Sequence, residues 1–237
     1  MKKTIFKNYE EMSTAAANIV AAAIGAKPNI VLGLPTGSTP CGMYSNLVAM
    51  HKAGKLDFSQ VKSFNLDEYV GLQENHNQSY RFFMQTQLFN HVNILPQNTY
   101  VPSGTAKNLE EAAALFDKKI EEEGGIDLFV LGIGANGHIG FNEPAASMPA
   151  YTHVVDLTKQ TIEDNARAFF GGNMKAVPKK AITQGLATIL QAKKIILLAS
   201  GKSKAAAIES IDKKILTLNC PATMLHLHNN VELLVCN

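Results

Sequence analysis

Cysteine is scarce: Cys41, Cys220 and Cys236 are odd in number and follow no recognisable spacing. A disulfide-stapled secreted fold is therefore not expected, and a reducing cytoplasm suits the chain best. An excess of one charge sign is also missing, with 22 Lys and Arg against 20 Asp and Glu and a formal net charge of +2. Such a balance speaks against nucleic-acid binding as the main activity, while an anionic small ligand stays open. No apolar window approaches the roughly 18 residues of a membrane span. The start, Met1-Lys2-Lys3-Thr4-Ile5-Phe6-Lys7-Asn8, breaks the apolar core that a signal peptide needs. His226 and His228 have no acidic or cysteine neighbours in sequence, so no metal site is expected there. Low-complexity tracts, repeats and linkers are absent, and 237 residues at 46% hydrophobic suit one domain with a sizeable core.

What the chain does contain is a regular alternation of short apolar runs and helical patterns. Strands are expected at residues 3–7, 29–34, 61–66, 98–101, 126–131, 152–157, 195–199 and 231–235. Helices are expected at 10–24, 40–53, 79–91, 108–123, 158–170, 178–191 and 222–227. Thr39 is placed to cap the helix at 40–53, and Asn108 with Glu111 reads as a capping box. Runs such as Asn29-Ile30-Val31-Leu32-Gly33-Leu34 are continuously apolar, as in strands buried on both faces of a parallel sheet. The order predicts an α/β fold, a mostly parallel central sheet with helices on both faces. Loops that follow its strands should converge on one edge, where open sheets of this kind bind ligands.

Several of those loops carry chemistry. Gly132-Ile133-Gly134-Ala135-Asn136-Gly137-His138-Ile139-Gly140-Phe141-Asn142-Glu143-Pro144 packs glycines that tight turns or close backbone approach would use, and sets an imidazole five positions from a carboxylate. Taken alone, it could equally be a glycine-rich connection with an incidental His and Glu. Pro35-Thr36-Gly37-Ser38-Thr39-Pro40 offers backbone N–H groups and hydroxyls at a helix start, a cradle for phosphate, or simply a capped turn. Asp67 and Glu68 stand at a strand end, and Asp67 could also cap a turn. Ser200-Gly201-Lys202-Ser203-Lys204 is a second strand-to-helix turn, richer in positive charge than the first. Arg167 reads either as an anion-binding guanidinium or as an ordinary exposed helical arginine.

With these residues in view, the chain resembles the glucosamine-6-phosphate deaminase family over nearly its whole length. The matching blocks are Gly33-Leu34-Pro35-Thr36-Gly37-Ser38-Thr39-Pro40, Phe64-Asn65-Leu66-Asp67-Glu68-Tyr69-Val70-Gly71 and Gly137-His138-Ile139-Gly140-Phe141-Asn142-Glu143-Pro144. The resemblance implies a modified Rossmann-like fold, conversion of glucosamine 6-phosphate to fructose 6-phosphate and ammonia, and no metal or redox cofactor. It implies Asp67 as the base that moves a proton between C2 and C1, and His138, paired with Glu143, as the group assisting ring opening. It further implies Thr36, Gly37, Ser38, Thr39, Arg167 and Lys204 around the phosphate, with Arg167 in a lid at about 151–180.

The chain departs from well-known hexameric members at two places. Asn136 stands where they have an aspartate, which removes a negative charge beside His138, so Asn136 is counted with the catalytic set. His153 and Val155 stand where allosteric members place basic residues. A non-allosteric enzyme is therefore expected, a state compatible with a monomer. A 6-phosphogluconolactonase is the nearest rival, and Asp67-Glu68-Tyr69 with Phe141-Asn142-Glu143-Pro144 fits the deaminase pattern better. A sugar-phosphate-sensing module without catalysis would be expected to lose the carboxylate at Asp67 and to carry a DNA-binding segment.

Overall fold

The computed structural model describes residues 1–236, apart from the side chain of Ala168. Its strands are β1 (Lys2–Phe6), β2 (Val31–Leu34), β3 (Lys62–Asn65), β4 (Asp67–Tyr69), β5 (Thr99–Tyr100), β6 (Leu128–Gly132), β7 (His153–Asp156), β8 (Lys180–Thr183), β9 (Lys194–Ser200) and β10 (Val231–Cys236). The α-helices are α1 (Tyr9–Ala26), α2 (Cys41–Lys52), α3 (Tyr80–Gln87), α4 (Leu109–Glu122), α5 (Lys159–Phe169), α6 (Leu186–Leu190) and α7 (Ala205–Asp212). No described helix is long and apolar enough to cross a membrane.

Seven strands form one sheet in the order β1-β10-β9-β6-β2-β3-β5, and every pair in it is parallel. The continuous apolarity of its strands has a direct cause in the two cores they serve. Leu32, Leu34, Leu128, Val130, Ile196 and Leu198 join the core that holds α1 and α2. Their sequence neighbours Val31, Phe129, Leu131, Ile195 and Leu197 join the opposite core with α4 and α7. Because side chains alternate across a strand, burial of both faces demands apolar residues at every position.

From β2 the chain crosses through α2 to β3 on one side, whereas from β6 it crosses toward β9 on the other. The neighbours β2 and β6 thus mark a point where the winding reverses, and the loops beyond their carboxyl ends diverge to leave a crevice.

A second, antiparallel sheet of order β4-β8-β7 departs from the sequence expectation. The strand expected at 61–66 is β3, but the residues after Leu66, expected as a loop, form the further strand β4, which pairs Asp67 with Thr183. The helix expected at 178–191 is the strand β8 followed by the short helix α6. Lys180-Ala181-Ile182-Thr183 has no strong strand signal of its own; it is extended because β4 and β7 flank it on both sides. The base of this sheet is tied to the main body by Asp117 of α4, whose carboxylate accepts from Thr152 N at 2.8 Å, Thr152 Oγ1 at 2.6 Å and Thr188 Oγ1 at 2.9 Å.

Phe129 lies fully buried on β6, paired with Gly33 of β2. Phe129→Ala is expected to cost about 3–5 kcal/mol of unfolding free energy through lost burial and the cavity left behind, read from urea denaturation midpoints at unchanged m-value.

Candidate active site

The crevice holds a cleft of about 310 Å³ walled by the loops after β2 and β6, by Asp67 and by one side of α5. Thr36, Gly37, Ser38 and Thr39 form one wall, and Lys204, in the 3-10 turn that leads from β9 to α7, forms another. Gly37 takes a φ of +95°, open to glycine at little cost, which turns the loop back toward α2. Among the described residues the N–H groups of Gly37, Ser38 and Thr39 have no backbone acceptor. Burial holds the Lys204 ammonium below the ordinary lysine range, although Asp164 across the cleft works in the opposite direction.

Thr39 does not cap α2, contrary to the sequence reading: Pro40 occupies the cap position and no side chain caps there. The reason is Tyr9 of α1, whose hydroxyl lies 3.0 Å from the carbonyl oxygens of both Ser38 and Thr39 and accepts from Gly42 N at 2.8 Å. A residue outside the loop thus ties it to the helix. The Thr39 hydroxyl is left without a partner among the described residues.

Asp67 lies at the floor of the cleft, only 6% exposed. Burial, and then the adjacent Glu68 carboxylate, push Asp67 well above the usual carboxylate range. Glu68 is itself raised by burial, against the pull of three backbone N–H groups and Arg81. Those N–H groups belong to Tyr69 at 2.8 Å, Tyr80 at 2.9 Å and Arg81 at 3.0 Å, so Glu68 binds the first turn of α3 and fixes the strand end beside Asp67. Tyr80 in turn stacks 6.2 Å from Phe141, closing the apolar side of the cleft.

On the loop after β6, His138 lines the cleft and Glu143 stands behind it. A Cβ at Gly134 would overlap the His138 ring, so this glycine is the space in which the imidazole sits. Glu143 Oε1 is 3.4 Å from His138 Nδ1, and that buried nitrogen makes no well-aligned hydrogen bond. Asn136 Nδ2 donates to Glu143 Oε2 at 2.7 Å, and Asn136 Oδ1 accepts from His138 N at 3.2 Å. Burial alone would raise Glu143; the nearby His138 imidazole, with hydrogen bonds from Thr161 and Asn136, outweighs it and holds the carboxyl down at about 2. The loop is stitched to both sheets by buried amides: Asn142 Nδ2 donates to Gln184 O at 2.8 Å, and Gln184 Nε2 donates to Asn65 O at 3.0 Å.

Asp67, His138, Thr36, Gly37, Ser38, Thr39 and Lys204 are thus gathered around one cleft, with Asn136 and Glu143 one contact behind. Arg167 is not part of that wall. It projects from α5 with its side chain 73% exposed, 3.9 Å from Asp164, because the cleft side of this helix is taken by Thr161, Asp164, Asn165 and Phe169. Those residues, together with Tyr9 and Tyr80, were missed by sequence reasoning. The strong amphipathic spacing of residues 159–169 was the one available signal that α5 has a face to place.

These blocks and their arrangement agree with what comparison with known proteins finds. A family model described as glucosamine-6-phosphate isomerases/6-phosphogluconolactonase matches residues 7–234. The chain belongs to that family. A curated relative from Thermoanaerobacter sp. (strain X514), named glucosamine-6-phosphate deaminase, is 54% identical over 235 residues, spanning 99% of this chain and 92% of the relative. The solved structure of a monomeric glucosamine-6-phosphate deaminase superposes with a TM-score of 0.96 at 43% identity, covering 100% of this chain and 98% of that one. The 6-phosphogluconolactonase of Thermotoga maritima shares the fold, with a TM-score of 0.77 at 17% identity and coverage of 100% and 99%. Within the family, the modified Rossmann-like α/β architecture expected from sequence is therefore present.

Because Glu68 is one of the two causes that raise Asp67, Glu68→Gln should lower the Asp67 pKa. Activity that needs the Asp67 carboxylate is lost as pH falls through that pKa, so the acidic limb of the kcat/KM profile should move to lower pH. An unmoved limb, or one displaced to higher pH, would detach the profile from Asp67.

Proposed function

We propose that this chain is a glucosamine-6-phosphate deaminase, acting in the cytoplasm as a non-allosteric monomer. The observation that carries the reading is a buried, proton-avid carboxylate, Asp67, facing an imidazole–carboxylate pair across a cleft whose opposite end suits a phosphate.

The substrate phosphate sits against the free N–H groups of Gly37, Ser38 and Thr39, the hydroxyls of that loop and the Lys204 ammonium. A helix N-terminus with unpaired N–H groups favours such an anion. Anchoring the distant phosphate orients C1 and C2 without restraining the reacting bonds. His138 then relays a proton between the ring oxygen and the C1 hydroxyl to open the sugar, and Glu143 holds the imidazole in place behind the cleft.

Asp67 removes the C2 proton of the open chain, giving an enolamine, and returns a proton to C1, which leaves an imine at C2. Water adds to that carbon and ammonia departs, so glucosamine 6-phosphate and water become fructose 6-phosphate and ammonia. A raised pKa suits this task, since a carboxylate of greater proton affinity is a better base for a weakly acidic carbon. Tyr80 and Phe141 shield the step from bulk water.

Residues 151–180 act as a lid. Arg167, exposed on α5, comes to the phosphate as that segment closes. The tie of Asp117 to Thr152 and Thr188 gives the segment a fixed base.

Purified protein given glucosamine 6-phosphate should release ammonia and fructose 6-phosphate, with 6-phosphogluconolactone as the parallel substrate. Failure on the first with rapid hydrolysis of the second would sink the reading. Asp67→Asn should lower the rate by roughly a hundredfold or more, within the 10²–10⁴ supplied by positioned acid–base groups. Lys204→Ala should chiefly raise KM, and an unchanged KM would remove it from the phosphate.

A further inference from the structure

Thr161 lies in the first turn of α5 and is 8% exposed. Its backbone N–H donates to the cap residue Thr158 at Oγ1, 3.1 Å away, and the two hydroxyl oxygens are 2.9 Å apart with Thr158 donating. A hydroxyl has one proton and two acceptor sites. Having accepted from Thr158, Thr161 directs its own proton to Glu143 Oε1. Capping the helix and aiming this donor are therefore one event.

The oxygen that Thr161 reaches is the one facing His138 Nδ1, which stays 3.4 Å away. The other carboxylate oxygen is held by Asn136. Thr161 thus has the closer claim on Oε1 and decides how near the carboxylate comes to the imidazole. One turn further along α5, Asn165 Nδ2 donates to Tyr69 Oη at 2.7 Å, a docking contact that does not touch Glu143.

We infer that Thr161 is a positioning residue for ring opening, which through Glu143 sets the orientation of His138 and does so only while the first turn of α5 is folded and docked. This rests on reading His138 and Glu143 as the ring-opening pair. Helix α5 would then act on the chemistry as well as cover the cleft, because undocking releases the carboxylate to the imidazole.

Steady-state kinetics on the full chain across pH, with glucosamine 6-phosphate and the variants Thr161→Val, Thr161→Ser and Asn165→Ala, tests the inference. Thr161→Val should lower kcat about tenfold or more, the worth of a hydrogen bond to a charged group, with little change in KM and an altered kcat–pH profile. Thr161→Ser, which keeps the donor, should restore most of the rate and the wild-type profile. Asn165→Ala should act mainly on KM and leave the profile's shape alone. Wild-type kcat and profile in Thr161→Val would overturn the inference. So would an Asn165→Ala profile that copies Thr161→Val, since loosened docking would then explain both. If Thr161→Val does not fold, Thr161→Cys keeps a similar volume with a weaker donor and should show a kcat below wild type with the altered pH profile; full activity with the wild-type profile there also overturns the inference. Wild-type protein that releases no ammonia fails the deaminase reading itself, a result distinct from any seen only in the variants.

Discussion

The site depends on the parallel pairing of β2 with β6, made through Leu32 with Leu128 and Gly33 with Phe129. That pairing puts the hydroxyl-rich loop after β2 beside the glycine-rich loop after β6. Since the chain winds away from the two strands in opposite directions, nothing fills the space between their carboxyl ends. Both strands are buried on both faces, so the loops start from a rigid floor.

On that floor the molecule arranges two carboxylates in opposite electrostatic settings. Asp67 is buried beside another carboxylate and kept proton-avid. Glu143 is also largely buried, yet hydrogen bonds from Thr161 and Asn136 and the nearby His138 imidazole hold it ionised. Burial raises both; the difference lies in the partners supplied. One group is thereby suited to exchange a proton with carbon, and the other to remain charged behind an imidazole. Divergent environments of this kind let one cleft perform base chemistry and proton relay in the same pH range.

Much of this was legible in the sequence. Continuous apolar runs announced a parallel sheet, because burial on both faces leaves no polar positions. Glycine clusters, hydroxyls and carboxylates just after those runs marked the loops that carry the cleft. What stayed hidden depends on distant partners. Strand β8 is extended through its neighbours β4 and β7 rather than through its own residues. Tyr9 joins the loop after β2 to α2 with a hydroxyl from another helix. Thr161 and Asn165 look like ordinary polar positions on a helix until α5 is seen to dock on Glu143 and Tyr69. Arg167 was correctly placed on a helix, but the direction it faces follows from which side of α5 the cleft takes up.

The proton transfer proposed for buried Asp67 runs from C2 to C1 of an opened sugar phosphate. It is tested most directly with glucosamine 6-phosphate deuterated at C2, measuring deuterium at C1 of the fructose 6-phosphate formed. A base shielded from water should show a primary isotope effect and deliver part of the label to C1, and Asp67→Asn should abolish that delivery. Normal turnover with no isotope effect and no label at C1 would contradict the account.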